Sequence, residues 1–368
     1  MNFEAKKIHN KLNFRTQILF PYKSCERNFR YRCKVLGEQT CEPKKFEERR
    51  KVMADKKRTN EDQIFDQLNK AYKRNNTKSF VTQNDYYKYA KMMGSFYAKN
   101  FNGQKFVNIS GKHLRAYVEE MKQKGLAPTT MRARLSGIRF YYEIMGGKNR
   151  LPDNESLGLD KRRLGKEDRA WLKEEIAGGL VLSQKHGRMD VYFSIKLGAT
   201  FGLRRIECCR IRLDCIERAL RYDELTVKGK GGQRRAIPVV TKEQKELLIE
   251  LYNFAKKNKL QSMEYIISPN GKGGVKHEKE SLENWMTAHR DKFMVQNRTE
   301  QTKPGEKPKK DVLTWHGLRY YYAQNEFKRL KDGGFYKPKH KTSEALGHHR
   351  PDITNTYLAE KPVRKRKQ

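Results

Sequence analysis

The chain has 368 residues, 36% of them hydrophobic and 34% charged, enough for two domains and a small third piece under a heavily charged surface. Lys and Arg total 81 against 43 acidic residues, a net charge of +38. An excess of that size repels itself unless a polyanion covers it, so nucleic acid is the default partner. Anionic membrane surface falls behind because no strongly basic amphipathic helix with a wide apolar face is visible. No apolar run approaches membrane-spanning length, and the opening MNFEAKKIHNKLNF lacks a signal-peptide core. A soluble cytoplasmic, nucleoid-associated protein is expected.

Residues 1–60 carry 17 basic and 7 acidic side chains with little amphipathic period, which predicts a basic appendage rather than a domain with its own large core. Cys25, Cys33 and Cys41 within it follow a C-x7-C-x7-C spacing, without the short step that zinc knuckles need, so reduced thiols are expected there. Cys208, Cys209 and Cys215 lie in or just after an apolar helical stretch and are expected in or near the core.

From Glu61 the pattern turns helical. Tyr86, Tyr89, Met93 and Phe96 recur at 3–4 residue steps, as do Leu114, Tyr117 or Val118, and Met121. A third stripe, Met131, Leu135, Ile138 and Tyr142, follows the turn Gly125-Leu-Ala-Pro128. Thr129 or Thr130 is placed to cap that helix, with Arg132, Arg134 and Arg139 off its apolar stripe and available to phosphates. A bundle of about four helices over 61–147 is predicted. Residues 148–167, rich in Pro, Gly, Asn and charge without a period, predict a linker.

An apolar helix is predicted over Asp190–Thr200, ended by Gly202 and followed by a polar–apolar helix carrying Arg204 onward. Residues 222–240 predict a hairpin around a Gly-rich turn. Thr241-Lys-Glu-Gln244 forms a capping box for a helix to about Lys257. Residues 297–311 are predicted to be a long flexible insertion, and helices resume at Trp315. Lys-Pro-Lys-His-Lys at 337–341 has the look of an extra loop.

Cleaving a phosphodiester without a metal takes an in-line nucleophile, positive donors for the non-bridging oxygens and an acid for the departing 5′-oxygen. Arginine suits the clamp because its planar fork bonds two phosphate oxygens and stays charged. Tyrosine suits the nucleophile because its phosphoester stores the bond for reversal by another hydroxyl.

Those residue types occur here in a distinctive order. Thr200-Phe-Gly-Leu-Arg-Arg-Ile-Glu207 resembles the first arginine box, G-L-R-x-x-E, of the tyrosine recombinase and phage integrase family. Trp315-His-Gly-Leu-Arg319 resembles the second, H-x-L-R. Leu346-Gly-His348 with Tyr357 nine residues after the histidine resembles the third. Thr226-Val-Lys-Gly-Lys-Gly231 with Arg235 and Ile237-Pro238 is similar to the family's lysine hairpin, and Gly125-Leu-Ala-Pro-Thr-Thr130 to its core-binding domain. Each box alone is a weak signal; four in family order, over about residues 61–360, are a strong one.

The resemblance implies a mainly α fold with a small β-hairpin. A helical, SAM-like core-binding domain at 61–147 and an α+β catalytic domain at 168–368 would form a C-shaped DNA clamp, with 1–60 as an arm-site DNA-binding piece. It implies Arg204 and Arg319 as the phosphate clamp, His316 and His348 on its oxygens and on the tyrosine proton, Lys230 as general acid, Glu207 as a brace and Tyr357 as nucleophile. DNA contacts are expected at Thr129, Thr130, Arg132, Arg134, Arg139 and Arg205. No metal or other cofactor is implied. The implied partners are double-stranded recombination sites, a homotetramer working through a Holliday junction, and DNA-bending accessory proteins. Integration or excision of a mobile element is the leading expectation, ahead of resolution of chromosome or plasmid dimers and of a non-catalytic DNA-binding protein on the same fold. Arg205, Lys228 and His349 stand as rivals to Arg204, Lys230 and His348, while Tyr320, Tyr321 and Tyr322 are expected to pack.

Overall fold

A computed structural model describes residues 58–159, 165–229, 232–268, 274–347 and 351–360. The basic appendage with Cys25, Cys33 and Cys41, and the expected site residues Lys230 and His348 with the rival His349, lie outside the described residues. The chain divides into two compact units, at Leu157/Gly158.

Among the described residues, the first unit holds four α-helices: α1 (Asn60–Arg74), α2 (Phe80–Phe101), α3 (Gly111–Gln123) and α4 (Pro128–Ile144). The second and third predicted stripes bury as their period requires, at Leu114, Tyr117, Val118, Met121, Met131, Leu135, Ile138 and Tyr142. The first buries Met93 while Tyr86, Tyr89 and Phe96 are half-buried, and Ile64 and Leu68 of α1 join the core. The entry to α4 differs from expectation. Pro128 occupies its first turn and Ala127 the cap position with no side-chain cap, so Thr129 and Thr130 are exposed first-turn residues and not caps. Proline has no N–H to be capped and its fixed φ starts the helix unaided. Part of the expected linker is packed: Arg139 donates to the Pro152 carbonyl at 2.6 Å and to Asn154 at 2.9 Å, and Leu157 is buried.

The second unit is built around α6 (Met189–Phe201), whose faces are nearly all buried. Against it lie α5 (Lys173–Lys185), α9 (Lys242–Lys257) and α11 (Trp315–Asp332). A one-turn α7 (Arg205–Cys208) and α8 (Leu213–Tyr222) lead into the hairpin of β1 (Glu224–Lys228) and β2 (Arg234–Pro238), paired antiparallel in the register Leu225↔Ile237 and Val227↔Arg235. Leu225, Val227 and Ile237 turn inward onto the core of Phe201, Leu203, Ile216 and Leu248. α10 (Gly274–His289), α12 (Pro338–Ala345) and the short α13 (Pro351–Thr354) complete it.

Three expectations fail locally. Arg204 does not lie within a helix but caps a single turn, because its backbone N–H and its guanidinium both bind the Glu207 carboxylate. Lys337–Lys341 is no loop: Pro338 opens α12 at its first position, where a missing N–H costs nothing. Residues 297–311 are a packed segment, not a free insertion. Arg298 inside it is 3% exposed, ion-paired with the buried Glu175 at 2.8 Å and bonded to the Ala170 and Lys310 carbonyls.

Candidate active site

α6 ends at Gly202, whose φ of +62° is a left-handed cap; a Cβ there would lie 2.3 Å from the Tyr322 ring, so both strain and space require glycine. This turn aims the Gly202 carbonyl at α11, where Arg319 Nη1 donates to it at 2.6 Å. Arg319 Nη2 donates to the carbonyl of Leu346, at the end of α12. One guanidinium, fully buried, thus ties together the ends of two helices carrying separate boxes. After Leu346 the chain turns at Gly347 (φ +64°), where a Cβ would strike the Arg235 side chain at 2.6 Å.

Glu207 organises the other cations. Arg235 grips it with both nitrogens, at 2.7 and 2.9 Å, and Arg204 adds a third bond at 2.8 Å. Burial opposes ionisation of this carboxyl, but the bonds and charge of Arg235, then Arg204, hold it at about 2. Two guanidiniums therefore bond one carboxylate, and Arg319 adds a third positive charge within its electrostatic reach. The excess registers on Arg319, pushed down to about 10 by burial first and then by Arg204 and Arg235, which leaves it charged at neutral pH. A buried cation excess of this kind is a seat for an anion.

α11 presents His316, Arg319, Tyr320 and Gln324 at i, i+3, i+4 and i+8, one face of a helix. Tyr357 docks there. Its hydroxyl lies 3.1 Å from His316 Nε2, and its ring packs on Tyr320 with centroids 4.5 Å apart and 5.8 Å from the Arg319 guanidinium carbon. The ring is 7% exposed, within a small cluster that includes Tyr322 and Leu346. Burial first, then the charges of Arg319, Arg204 and Arg169, lower the His316 pKa to about 4. The imidazole is neutral at physiological pH, and its Nδ1–H tautomer would accept a hydrogen bond from the phenol through Nε2.

That shift has a measurable consequence. The unfolded chain holds a proton on this histidine below about 6.5 while the folded one does not until about 4. The unfolded state thus binds more protons in that window, and stability falls as pH drops through it, by on the order of 3 kcal/mol from His316 alone. Wild type is expected to lose more stability than His316→Gln between pH 6.5 and 4 in paired urea titrations. Equal slopes would remove the neutral imidazole.

The structure thus brings Arg204, Glu207, Arg319, His316 and Tyr357 into one site. Arg205 instead pairs with Glu283. On α4, Arg132 and Arg134 are half-buried and Arg139 is engaged internally. Arg235 is the participant missed as a site residue; its position in the hairpin motif was visible, its pairing with a carboxylate 28 residues earlier was not. No group of three or more His, Cys, Asp or Glu side chains suited to a metal occurs among the described residues.

Comparisons with known proteins agree with this architecture. Residues 63–151 match the family model described as phage integrase, N-terminal. Tyrosine recombinase XerC of Bacillus subtilis (strain 168) is 28% identical over 137 residues, 36% of this chain and 44% of XerC, so the match spans under half of that relative. A lambda integrase tetramer bound to a Holliday junction superposes with a TM-score of 0.57 at 12% identity, covering 94% of this chain and 89% of that one. The Tn1549 transposon integrase in complex with transposon right end DNA gives 0.52 at 14% identity, covering 81% and 95%. These two likenesses are of fold. The match across its helical unit, the shared fold and the ordered boxes make the chain similar to the tyrosine recombinase, or phage integrase, family.

Proposed function

We propose that this protein is a site-specific DNA recombinase that cleaves a strand with Tyr357. The observation that carries this is the Tyr357 hydroxyl hydrogen-bonded at 3.1 Å to a histidine held neutral beside an arginine cluster with surplus positive charge. Arg204 and Arg319 hold the non-bridging oxygens of the scissile phosphate as charge grows on them. Arg204 is the more open of the two, its side chain 31% exposed. The Tyr357 oxygen attacks phosphorus, its proton passes to His316 Nε2, and the bond to the 5′-oxygen breaks, leaving a 3′-phosphotyrosyl link. Lys230 protonates the 5′-oxygen and His348 bonds a phosphate oxygen; both roles come from the family resemblance. Glu207 and Arg235 position Arg204.

In the reverse step the 5′-hydroxyl of a second duplex displaces Tyr357, so paired exchanges in a homotetramer pass through a Holliday junction. The first-turn Thr129 and Thr130 with Arg132 and Arg134 contact phosphates of the core site, while Arg139 and Arg205 are already engaged within the protein, Arg139 with Pro152 and Asn154 and Arg205 with Glu283. The +38 net charge supports a DNA partner, and the basic stretch 1–60 supports arm-site binding and so integration or excision of a mobile element, helped by DNA-bending proteins. No helix among the described residues is long and apolar enough to cross a membrane. The protein acts on chromosomal DNA in the cytoplasm.

The test is to incubate the chain with nicked duplexes carrying a randomised core and recover SDS-resistant adducts. A phosphotyrosyl peptide containing Tyr357 is expected, at the same yield in excess EDTA. Absence of adducts, or attachment at another residue, would overturn the assignment; arrest of cleavage by the chelator would overturn its metal-free chemistry.

A further inference from the structure

Tyr357 sits on a weak piece of backbone. α13 is four residues long, too short to hold itself, and the turn after it leaves buried carbonyls to be satisfied. Their donors come from far away in sequence. Lys307, 4% exposed, donates through Nζ to the carbonyls of Asn355 and Leu358, both at 2.6 Å, and through its backbone N–H to Ala359 at 2.9 Å. Gln324 Nε2 donates to the carbonyl of Tyr357 itself at 3.1 Å and to Asp168 at 2.8 Å. Asp168, 1% exposed, is fixed in turn by Lys309 at 2.5 Å and the Ala170 N–H at 2.9 Å. Four carbonyls between 355 and 359 are thus capped by one clasp, none of it in the recognised boxes.

A lysine ammonium buried this deeply is a costly device for a surface loop, and burial depresses its pKa, with Asp168 opposing. Ammonium-to-carbonyl bonds are charge-assisted and hold geometry better than neutral ones. Resting on the assignment of Tyr357 as nucleophile, we propose that Lys307, with Gln324, is a positioning residue that sets the tyrosine hydroxyl against His316 for attack. The clasp grips the backbone and leaves the phenol to His316, so it governs where the nucleophile stands and leaves phosphate binding to the arginines.

Lys307→Met keeps the aliphatic stem and removes the donors. Core-site binding, on the nicked duplexes recovered as adducts, is expected to stay within twofold of wild type. Single-turnover cleavage is expected to fall about 10²-fold, the scale of an ångström's misplacement. Amide exchange over 354–359 should quicken while 315–332 stays protected. Unchanged exchange over 354–359, or cleavage within twofold of wild type, would overturn the proposal, as would a cleavage loss matched by lost DNA binding. If Lys307→Met does not fold, Gln324→Leu removes the other arm of the clasp and is held to the same outcomes. The exchange measurement needs no DNA, so a wild-type chain that forms no adduct would sink the assignment of Tyr357 while the clasp is still decided.

Discussion

Tyr357→Phe is expected to bind its core site like the wild type and to form no covalent adduct at all. The substitution removes one oxygen and nothing else. The ring keeps its packing on Tyr320 and beneath the Arg319 guanidinium. What is lost is the hydroxyl's hydrogen bonding, including the bond to His316, at about 1 kcal/mol of stability per bond. On the proposed reading, binding rests on phosphate attraction by a strongly basic chain, which does not need the phenol. The chemical step has no substitute nucleophile of matching position, because Tyr320 and Tyr322 are buried in packing and burial raises both their pKa values. Gel shift and SDS-resistant adduct yield on one nicked duplex separate the two effects. Adducts at wild-type yield in the phenylalanine chain would show that another residue attacks.

Much of this site was legible in the sequence because its parts are local motifs. Gly202-Leu-Arg204 with Glu207 encodes a left-handed cap, a turn and a carboxylate in reach of the arginine, all within six residues. His316 and Arg319 share a face by helical spacing alone, and the aromatic triple that follows them buries two of its three rings, Tyr320 and Tyr322, as its apolarity demands. The helical bundle was equally plain, since its apolar residues repeat at the helical period over four elements.

What escaped has a common physical character: polar groups buried by long-range pairing. Residues 297–311 have a loop's composition, yet Arg298 and Lys307 are inside the fold because Glu175 and the carbonyls near Tyr357 receive them. Hydropathy counts a lysine as solvated and cannot see a partner 48 or 51 residues away. Arg235 and Glu207 are the same case, between the hairpin strand β2 and the one-turn helix α7. At Thr129 and Thr130 the error was one of competing signals, a good capping residue set beside a proline that needs no cap.

The two arginines proposed as the phosphate clamp, Arg204 and Arg319, are expected to part company when stability and cleavage are measured together. Both Arg204→Ala and Arg319→Ala should lose cleavage by about 10²–10³-fold or more, the loss expected for a donor to a developing oxyanion. Their folding effects should differ. Arg204 is partly exposed and shares Glu207 with Arg235, whose two-pronged grip survives its removal. Deleting it also relieves repulsion among three guanidiniums, so a change within about 1 kcal/mol is expected. Arg319 is fully buried and is the donor to the Gly202 and Leu346 carbonyls. Its depressed pKa shows that its charge is held against burial and its neighbours, so truncation recovers some electrostatic energy. Against that stand two buried carbonyls left without a donor and a cavity at the junction of α6, α11 and α12, each costing about 1–3 kcal/mol. Packing and hydrogen bonding win, and a net loss of about 2–4 kcal/mol is expected in urea unfolding. Cleavage lost without loss of stability in Arg319→Ala would mean that the guanidinium serves the phosphate alone. Loss of several kcal/mol in Arg204→Ala would mean that Glu207 cannot be held by Arg235 by itself.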